Sequence, residues 1–427
     1  MLKKIVLMGT LVLLCPHFSK ASVYDVNGDG AVTSADVTAL YDYMLTGDNT
    51  YAATLDVDGD GAITSADITA IYNVLLIGEP LPERLVGGDI SMLPRYEAAG
   101  AIYKDNNGNT ISNILSYFGE QGWNAMRVRL FVNPENASAE DKAEGVCQDL
   151  AYVKALGKRI KDAGYVLVLD LHYSDTWADP SNQSVPAAWP SNDVEVLKDS
   201  VYNYTKHVLQ EMIAAGARPD YIQTGNEITG GLLWPTGKTW NNIAAYLTRA
   251  SQAVREVSPT TKIILHTELH RTSNGTGNIV ADYFYEQAAN YGLDYDIVGL
   301  SYYSAYHGDF AMLDEDLELI EAVSGDHPIM IMECGYGYAW ELPDTKFNLA
   351  STYPYSDEGQ KKFTVDMIAA LKQHSRVKGL FWWWPEANEF NIPWQNQITT
   401  NWWNGSLFDN RTGQAQQALY ELKQFVQ

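Results

Sequence analysis

Two glutamates stand near the ends of short apolar runs of the kind that form buried strands. Glu227 lies in the run 221–228, and Glu333 lies in the run 328–335. A carboxylate that emerges from an apolar strand costs free energy unless it is hydrogen-bonded or used in function. Two such groups on either side of one bond can divide a reaction, one protonating a leaving oxygen while the other attacks. A structural ion pair explains each glutamate separately, but the two together favour hydrolysis of a glycosidic bond.

These glutamates need a scaffold that brings distant strand ends together. Apolar, β-rich runs alternate with helical stretches, which predicts a (β/α)₈ TIM barrel with its chemical residues at the C-terminal strand ends. A doubly wound sheet is less favoured, because the glycines at 87–88 do not form the phosphate-binding turn that such a sheet carries. The predicted strands are 86–91, 125–132, 165–174, 221–228, 262–269, 297–304, 328–335 and 377–384.

A loop pattern occurs twice before the barrel. Oxygen side chains at loop positions 1, 3, 5 and 12, a glycine at position 6 and a backbone carbonyl at position 7 suit a hard cation such as Ca²⁺. One helical run follows each loop, at 37–45 and at 68–76, so this unit is predicted to be small and all-α. The predicted ligands of two calcium sites are Asp25, Asn27, Asp29, Ala31 and Asp36, and Asp56, Asp58, Asp60, Ala62 and Asp67.

The N-terminal residues indicate the compartment of the protein, and its net charge restricts its binding partners. Lys3 and Lys4 precede an apolar run that is too short for a mature anchor, which predicts an export signal at 1–21 and a secreted or cell-surface protein. A lipoprotein signal at Cys15 is less favoured, because the bulky Leu14 precedes it. The net charge of −24 excludes a polyanionic nucleic acid as a partner, and no membrane span is expected.

The repeated loops resemble the dockerin module, and the resemblance implies calcium-dependent folding and docking to a cohesin. The pairs before each last ligand, at 34–35 and 65–66, match the Ser-Thr pairs of cellulosomal dockerins in part. A calcium-stabilised pair of loops without a protein partner is the alternative. Prolines at 80 and 82 predict a stiff linker, so we expect a dockerin-like module at 22–79 and a catalytic domain at 80–427.

The barrel carries a set of motifs, of which the run His-Tyr-Ser-Asp-Thr-Trp-Ala-Asp-Pro at 172–180 is the most specific. The others lie at 88–91, 127–129, 225–228, 234–235 and 299–303. Together they resemble glycoside hydrolase family 53, the endo-β-1,4-galactanases, over essentially the whole barrel. The resemblance implies endo-cleavage of galactan side chains of pectin with retention of configuration. Glu227 would be the acid/base and Glu333 the nucleophile, with no metal needed for the chemistry.

The resemblance also implies the roles of neighbouring residues. Asn226 would bind the sugar 2-hydroxyl, and Arg127 would hold the nucleophile ionised. Arg129 has the same strand parity as Arg127, so either arginine can be the one that points inward. Tyr302 or Tyr303 would hydrogen-bond the nucleophile, and strand parity does not decide between them.

Sugar contacts are implied for four more residues. Trp383 would stack under the sugar ring, and the further candidates are Asp175, Trp177 and His172, the last of which would contact either the sugar or the acid/base. A satisfied core histidine is the alternative for His172, and loop packing is the alternative for Trp177. Trp384 departs from the family, which usually has a glutamate there.

Two other functions stay open at this point. The same carboxylate pair serves other β-1,4-glycans such as mannan or glucan, and only the run at 172–180 argues for galactan. A non-catalytic carbohydrate-binding scaffold is the second alternative, although a binder has no need of an acid and a nucleophile side by side. Some family members hold a structural calcium after strand seven; Asp344 and Asn348 lie there, but their pattern is too loose to define a site.

Overall fold

The computed structural model describes residues 22–29, 32–47, 55–77, 80–189, 192–269, 280–398 and 402–427. The chain divides into two compact units, Met1–Leu81 and Pro82–Gln427. The predicted export signal at 1–21, the predicted calcium ligand Ala31 and residues 78–79 of the linker region lie outside the described residues.

Two helices of the N-terminal unit, α1 (Ser34–Thr46) and α2 (Ser65–Ile77), each begin directly behind a loop of the repeat. Thr33 caps α1, and Asp36 completes the capping box by accepting a hydrogen bond from the Thr33 backbone N–H. Gly47 ends the helix in the left-handed conformation. Both helices agree with the sequence prediction. Their apolar sides share a small core formed by Val26, Val37, Ala39, Leu40, Leu55, Val57, Ile68 and Ile71.

The C-terminal unit is a closed barrel of parallel strands in which consecutive strands pair and the last strand closes onto the first. The predicted (β/α)₈ fold and all eight predicted strands are confirmed. The strands are β1 (Leu85–Asp89), β2 (Ala125–Leu130), β3 (Val166–Leu171), β4 (Tyr221–Thr224), β5 (Lys262–Glu268), β6 (Ile297–Tyr302), β7 (Ile329–Cys334) and β8 (Val377–Trp383).

Helices surround these strands and cover them with one apolar side each. In α6, the buried residues Val153, Leu156 and Ile160 follow one another at helical spacing. The helices are α3 (Leu93–Ala99), α4 (Ile114–Glu120), α5 (Ala139–Ala143), α6 (Leu150–Asp162), α7 (Val194–Ala214), α8 (Trp240–Val257), α9 (Val280–Asn290), α10 (Ser304–His307), α11 (Phe310–Val323), α12 (Asp357–Leu371) and α13 (Ala418–Glu421). In the described ranges, none of the helices combines the length and the apolar character that crossing a membrane requires.

Several strands end earlier than the apolar pattern predicts. The run 221–228 was expected to be extended, but β4 stops at Thr224. Gly225 has a φ of 112° and Glu227 a φ of 47°, and these left-handed residues turn the chain out of the sheet. Glu227 therefore stands on a tight turn just past the strand end, where its side chain reaches the barrel mouth.

Candidate active site

The turn after β4 holds the predicted acid/base in a fixed position. A Cβ at Gly225 would lie 2.6 Å from Cγ2 of Ile228, so the turn needs glycine for space as well as for φ. The backbone N–H of Glu227 lies 3.4 Å from Nδ1 of His266. The side chain of Glu227 hydrogen-bonds Ser301. The carboxyl group thus projects from a turn that is tied to two neighbouring strands.

Glu333 lies near the end of β7, and its two carboxylate oxygens have different partners. Oε1 lies 3.0 Å from Nη2 of Arg127, and Oε2 accepts a hydrogen bond of 3.0 Å from the Tyr303 hydroxyl. The residue is only 5% exposed. A cation on one oxygen and a neutral donor on the other fix the orientation of this carboxylate.

Arg127 is the centre of a buried network of hydrogen bonds. Its Nε donates to Oε1 of Gln223 at 2.6 Å, and its Nη1 donates to Oδ2 of Asp89 at 2.9 Å. Its Nη2 donates to Oδ2 of Asp170 at 2.9 Å and to Oδ1 of Asn226 at 2.8 Å. The guanidinium therefore reaches Glu333 from a position that several strands define.

Electrostatics separate the two glutamates. Burial raises the pKa of Glu227 well above its ordinary value, and the charges of Glu333 and Glu268 raise it further. Burial also raises the pKa of Glu333, but the Arg127 guanidinium opposes that rise. Because only Glu333 has this opposing cation, it loses its proton first and Glu227 keeps one. The pair is arranged for an ionised group beside a protonated one.

Asp170 is a further buried acid that contacts Arg127 and His172. Burial alone would raise its pKa, but Arg127 and His172 together lower that pKa to about 2. Asp170 therefore stays ionised, and it is a partner of the arginine instead of a proton donor.

The structure distinguishes the two tyrosines that the sequence left equivalent. Tyr303 donates to Glu333, and burial followed by the charge of Glu333 raises the pKa of its hydroxyl well above the ordinary value. Tyr302 instead donates to the Gly308 carbonyl at 2.9 Å and packs near Phe310. Tyr303 therefore contacts Glu333, whereas the described hydrogen bond of Tyr302 goes to the backbone.

Two predicted sugar ligands are engaged inside the protein. His172 accepts a hydrogen bond at Nδ1 from the Ala178 backbone N–H at 3.0 Å, and its Nε2 lies 3.0 Å from Oδ2 of Asp170. Asp175 accepts hydrogen bonds from the Asn133 backbone and the Asn136 side chain at 3.0 and 2.9 Å. Both residues hold the loop after β3 through these hydrogen bonds, and their contacts with a sugar stay a prediction.

Trp177 and Trp383 form a half-buried aromatic corner. Their ring centroids are 6.2 Å apart and their planes meet at 61°. Trp383 is the last residue of β8, and the Arg127 guanidinium carbon lies 5.8 Å from its ring centroid. An apolar ring face beside the carboxylates is the surface on which a sugar stacks. Trp189, another tryptophan of the loop after β3, is 8% exposed and packs on Tyr173.

Sequence reasoning missed three supporting residues: Gln223, His266 and Ser301. Nδ1 of His266 lies 3.0 Å from Oδ1 of Asn226, and its Nε2 lies 2.9 Å from the Ser301 hydroxyl. Burial, aided by Arg127, lowers the pKa of His266 well below its ordinary value, so the ring is neutral. Polar residues within otherwise buried apolar strands were the available signal.

The N-terminal loops have the donor chemistry that a hard cation needs. Carboxylate oxygens of Asp56, Asp58 and Asp60 lie within 4.8 Å of one another. Oδ1 of Asp67 accepts a hydrogen bond from the Val57 backbone N–H at 2.6 Å, which closes the second loop. In the first loop, Oδ1 of Asp36 accepts one from the Asn27 backbone N–H at 3.0 Å. The described parts of the barrel hold no comparable cluster of three His, Cys, Asp or Glu side chains.

Family models match both units. The model described as glycosyl hydrolase family 53 matches residues 85–424, and the model described as dockerin type I domain matches residues 23–76. These ranges agree with the barrel and with the paired calcium loops, respectively.

Individual relatives agree with the family models. The arabinogalactan endo-β-1,4-galactanase of Thermothelomyces thermophilus is 34% identical over 314 residues, which cover 70% of this chain and 88% of the relative. The solved family 53 catalytic domain of Ignisphaera aggregans is 29% identical with a TM-score of 0.70, covering 82% of this chain and 98% of the other. A structure described under two fungal β-1,4-galactanases is 30% identical with a TM-score of 0.67, covering 80% and 99%.

Proposed function

Because the chain belongs to glycosyl hydrolase family 53, we propose that it cleaves β-1,4-galactosidic bonds within galactan. The curated relatives that carry the name arabinogalactan endo-β-1,4-galactanase support this substrate. The observation that carries the reaction type is the pair of glutamates, in which Glu333 is held by Arg127 and Tyr303 while Glu227 keeps its proton. The substrate is the neutral galactan side chain of pectin, and the reaction retains the anomeric configuration.

The first half of the reaction forms a covalent intermediate. The Glu333 carboxylate attacks the anomeric carbon, the glycosidic carbon–oxygen bond breaks, and the Glu227 proton passes to the leaving oxygen. Arg127 and Tyr303 keep the Glu333 oxygens aimed at the carbon. Asn226, oriented by Arg127 and His266, binds the 2-hydroxyl of the sugar.

The second half releases the sugar. The Glu333 charge is lost in the ester, so the pKa of Glu227 falls and its new carboxylate accepts a proton from water. The water oxygen bonds to the anomeric carbon as the bond to Glu333 breaks. Two inversions at one carbon give overall retention.

The test of this function compares substrates at equal enzyme loading. Reducing-end release and viscosity loss are measured on linear galactan, mannan, xylan and cellulose. We expect a fast viscosity drop on galactan alone, because an endo-acting enzyme shortens chains early. Activity on mannan or a glucan instead would preserve the mechanism and contradict the substrate, and inactivity on all four would favour a carbohydrate-binding scaffold.

Tyr303→Phe is expected to lower kcat about 10²- to 10³-fold, the usual effect of losing one preorganised donor. The hydroxyl lies 3.0 Å from Oε2 of Glu333, and its loss raises the pKa of that carboxyl further. Because Glu333 must be ionised to attack, the acidic limb of the pH–kcat profile moves to higher pH. Tyr302→Phe is the matched control, since that hydroxyl contacts the Gly308 carbonyl; an equal effect of both variants contradicts the assignment.

We propose that the dockerin-like module occupies residues 22–79 and the catalytic domain residues 80–427, with an export signal at 1–21. The two matched ranges, 23–76 and 85–424, support these boundaries. Two calcium ions would bind the loops. The predicted ligands of the first are Asp25, Asn27, Asp29, Asp36 and the Ala31 carbonyl, and those of the second are Asp56, Asp58, Asp60, Asp67 and the Ala62 carbonyl. Dockerin membership supports an extracellular or cell-surface location and a cohesin-type partner.

Calcium removal is expected to unfold the N-terminal unit and to leave the barrel active. The carboxylates of Asp56, Asp58 and Asp60 repel one another without a cation, and a ligand at about 100 times its Kd stabilises a fold by about 2.7 kcal/mol. Limited proteolysis of the full chain with fragment masses, with and without EDTA, measures this. Cleavage within 22–77 should appear in EDTA and disappear on adding CaCl₂. A cleavage pattern that is the same with EDTA and with CaCl₂ would overturn the prediction.

A further inference from the structure

Arg129 is a buried cation that the mechanism above does not use. Its side chain is fully buried, and its Nη1 donates to Oδ1 of Asp89 at 2.8 Å. Its Nε and Nη2 have no hydrogen-bond acceptor within the described ranges. A buried guanidinium normally satisfies its donors with oxygen atoms, so an arginine that lacks them needs another source of stabilisation.

Aromatic rings supply that stabilisation. The guanidinium carbon of Arg129 lies 4.8 Å from the ring centroid of Trp177, 5.2 Å from that of Trp383 and 5.5 Å from that of Trp384. All three distances are within the range of cation–π attraction, which is strongest where water is excluded. Trp177 and Trp383 are half-buried and form the aromatic corner, whereas Trp384 is 2% exposed. Arg129 therefore contacts both corner rings from the protein side.

Asp89 connects Arg129 and its cage of three rings, Trp177, Trp383 and Trp384, to the nucleophile. Its Oδ1 pairs with Arg129 at 2.8 Å, while its Oδ2 pairs with Arg127 at 2.9 Å. Arg127 in turn lies 3.0 Å from Oε1 of Glu333. A single buried carboxylate thus sets the distance between the arginine behind the rings and the arginine beside Glu333.

We propose that Arg129 is a positioning residue that fixes the ring planes of Trp177 and Trp383, and so fixes the stacked sugar relative to Glu333. The proposal rests on the proposed function, because it assumes that these rings carry a sugar of the substrate. Arg129 does not touch the substrate; it acts through the two rings. A guanidinium is suited to this task, since it is planar and stacks on indole faces, whereas an ammonium is a compact, hydrated point charge.

The test is the Arg129→Lys variant, which keeps the positive charge beside Asp89 and loses the planar group. We expect KM for galactotetraose to rise about tenfold, while kcat falls by less than about threefold, because the Arg127–Glu333 pair keeps its geometry. Arg249→Lys is the matched control: Arg249 lies 4.1 Å over the Tyr202 ring on the outer helices, and its replacement should leave KM unchanged. A purely structural role would lower the melting temperature of Arg129→Lys without this split between KM and kcat.

A double-mutant cycle with Trp177→Leu tests whether Arg129 acts through the ring. If it does, Arg129→Lys raises KM by a smaller factor in the Trp177→Leu background than in the wild type. An unchanged KM in Arg129→Lys, or fully multiplicative effects in the double variant, would overturn the proposal. If Arg129→Lys does not fold, Trp384→Leu removes one ring of the cage and keeps the ion pair. An unchanged KM in that variant overturns the proposal equally.

Failure of the proposed function is a separate result, because it appears in the wild type as absence of reducing ends from galactan. KM and kcat are then measured for the same variants on the glycan that the enzyme does cleave. A rise in KM there supports Arg129 as a positioning residue for a different sugar, and an unchanged KM contradicts it.

Discussion

Glu333→Ala will reduce galactan hydrolysis below detection, because the attacking oxygen is gone. Removal of a residue that forms the covalent intermediate costs about 10⁴- to 10⁶-fold in kcat. Glu333 lies between Arg127 and Tyr303, and neither a guanidinium nor a neutral phenol can take the proton of a water that enters its place. The measurement is reducing-end release with the variant at high enzyme concentration.

Azide provides the decisive control for this variant. A small anion can occupy the space that the carboxylate leaves and attack the anomeric carbon from the same side. With an aryl β-galactobioside, Glu333→Ala plus azide should therefore give the α-configured glycosyl azide. Glu268→Ala is the matched comparison, since Glu268 also ends a strand of the barrel; it should retain activity and yield no azide product. Absence of rescue, or a β-azide, would undo the nucleophile assignment.

Glu227→Ala is expected to lower kcat on galactan about 10²- to 10⁴-fold, the usual contribution of a general acid/base. A galactan leaving group needs a proton, whereas a dinitrophenolate does not. The variant should therefore still form its glycosyl-enzyme from a dinitrophenyl β-galactobioside and show a burst followed by slow turnover. Added azide should accelerate turnover and give the β-configured product, because it attacks the intermediate from the water side.

The pH profile supplies a second readout for Glu227. Its pKa is raised by burial and by Glu333 and Glu268, so the wild-type enzyme keeps the catalytic proton to higher pH than an ordinary glutamate would. Activity is lost as the pH rises through that pKa, which produces the basic limb of the profile. Glu227→Ala should lack that limb with the dinitrophenyl substrate. A basic limb that persists in the variant would assign the proton to another group.

Most of the barrel followed from alternating apolar runs and helical stretches, and the two glutamates followed from their place at strand ends. The direction in which side chains point beyond the strand ends could not be predicted from the sequence. Strand alternation stops at Tyr302, the last residue of β6, and the register of β6 against β7 shifts between Leu300 and Ser301. Counting parity from sequence therefore could not separate Tyr302 from Tyr303, because a bulge changes which side each residue faces.

The layer of the barrel in which a side chain lies could not be predicted from the sequence either. Arg127 and Arg129 share parity and both bind Asp89, but only Arg127 is paired with Glu333 among the described contacts. Which of two inward arginines reaches the nucleophile depends on the layer in which it lies, and a linear sequence does not state that. The internal partners of His172 and Asp175 could not be predicted for a related reason, and their sugar contacts stay a prediction. Their partners lie in loops whose path the motif alone does not reveal.

The left-handed turn at Glu227 has a consequence for directed evolution. A bulky residue at a φ of 47° costs roughly 1 kcal/mol or more relative to glycine, in addition to the cost of burying its carboxyl group. Glu227→Gly should therefore melt at a higher temperature than the wild type while its kcat on galactan falls about 10²- to 10⁴-fold with the loss of the acid/base. A selection that measures only folding at high temperature will therefore enrich variants that have lost Glu227. A thermostability campaign on this enzyme must measure turnover in every round.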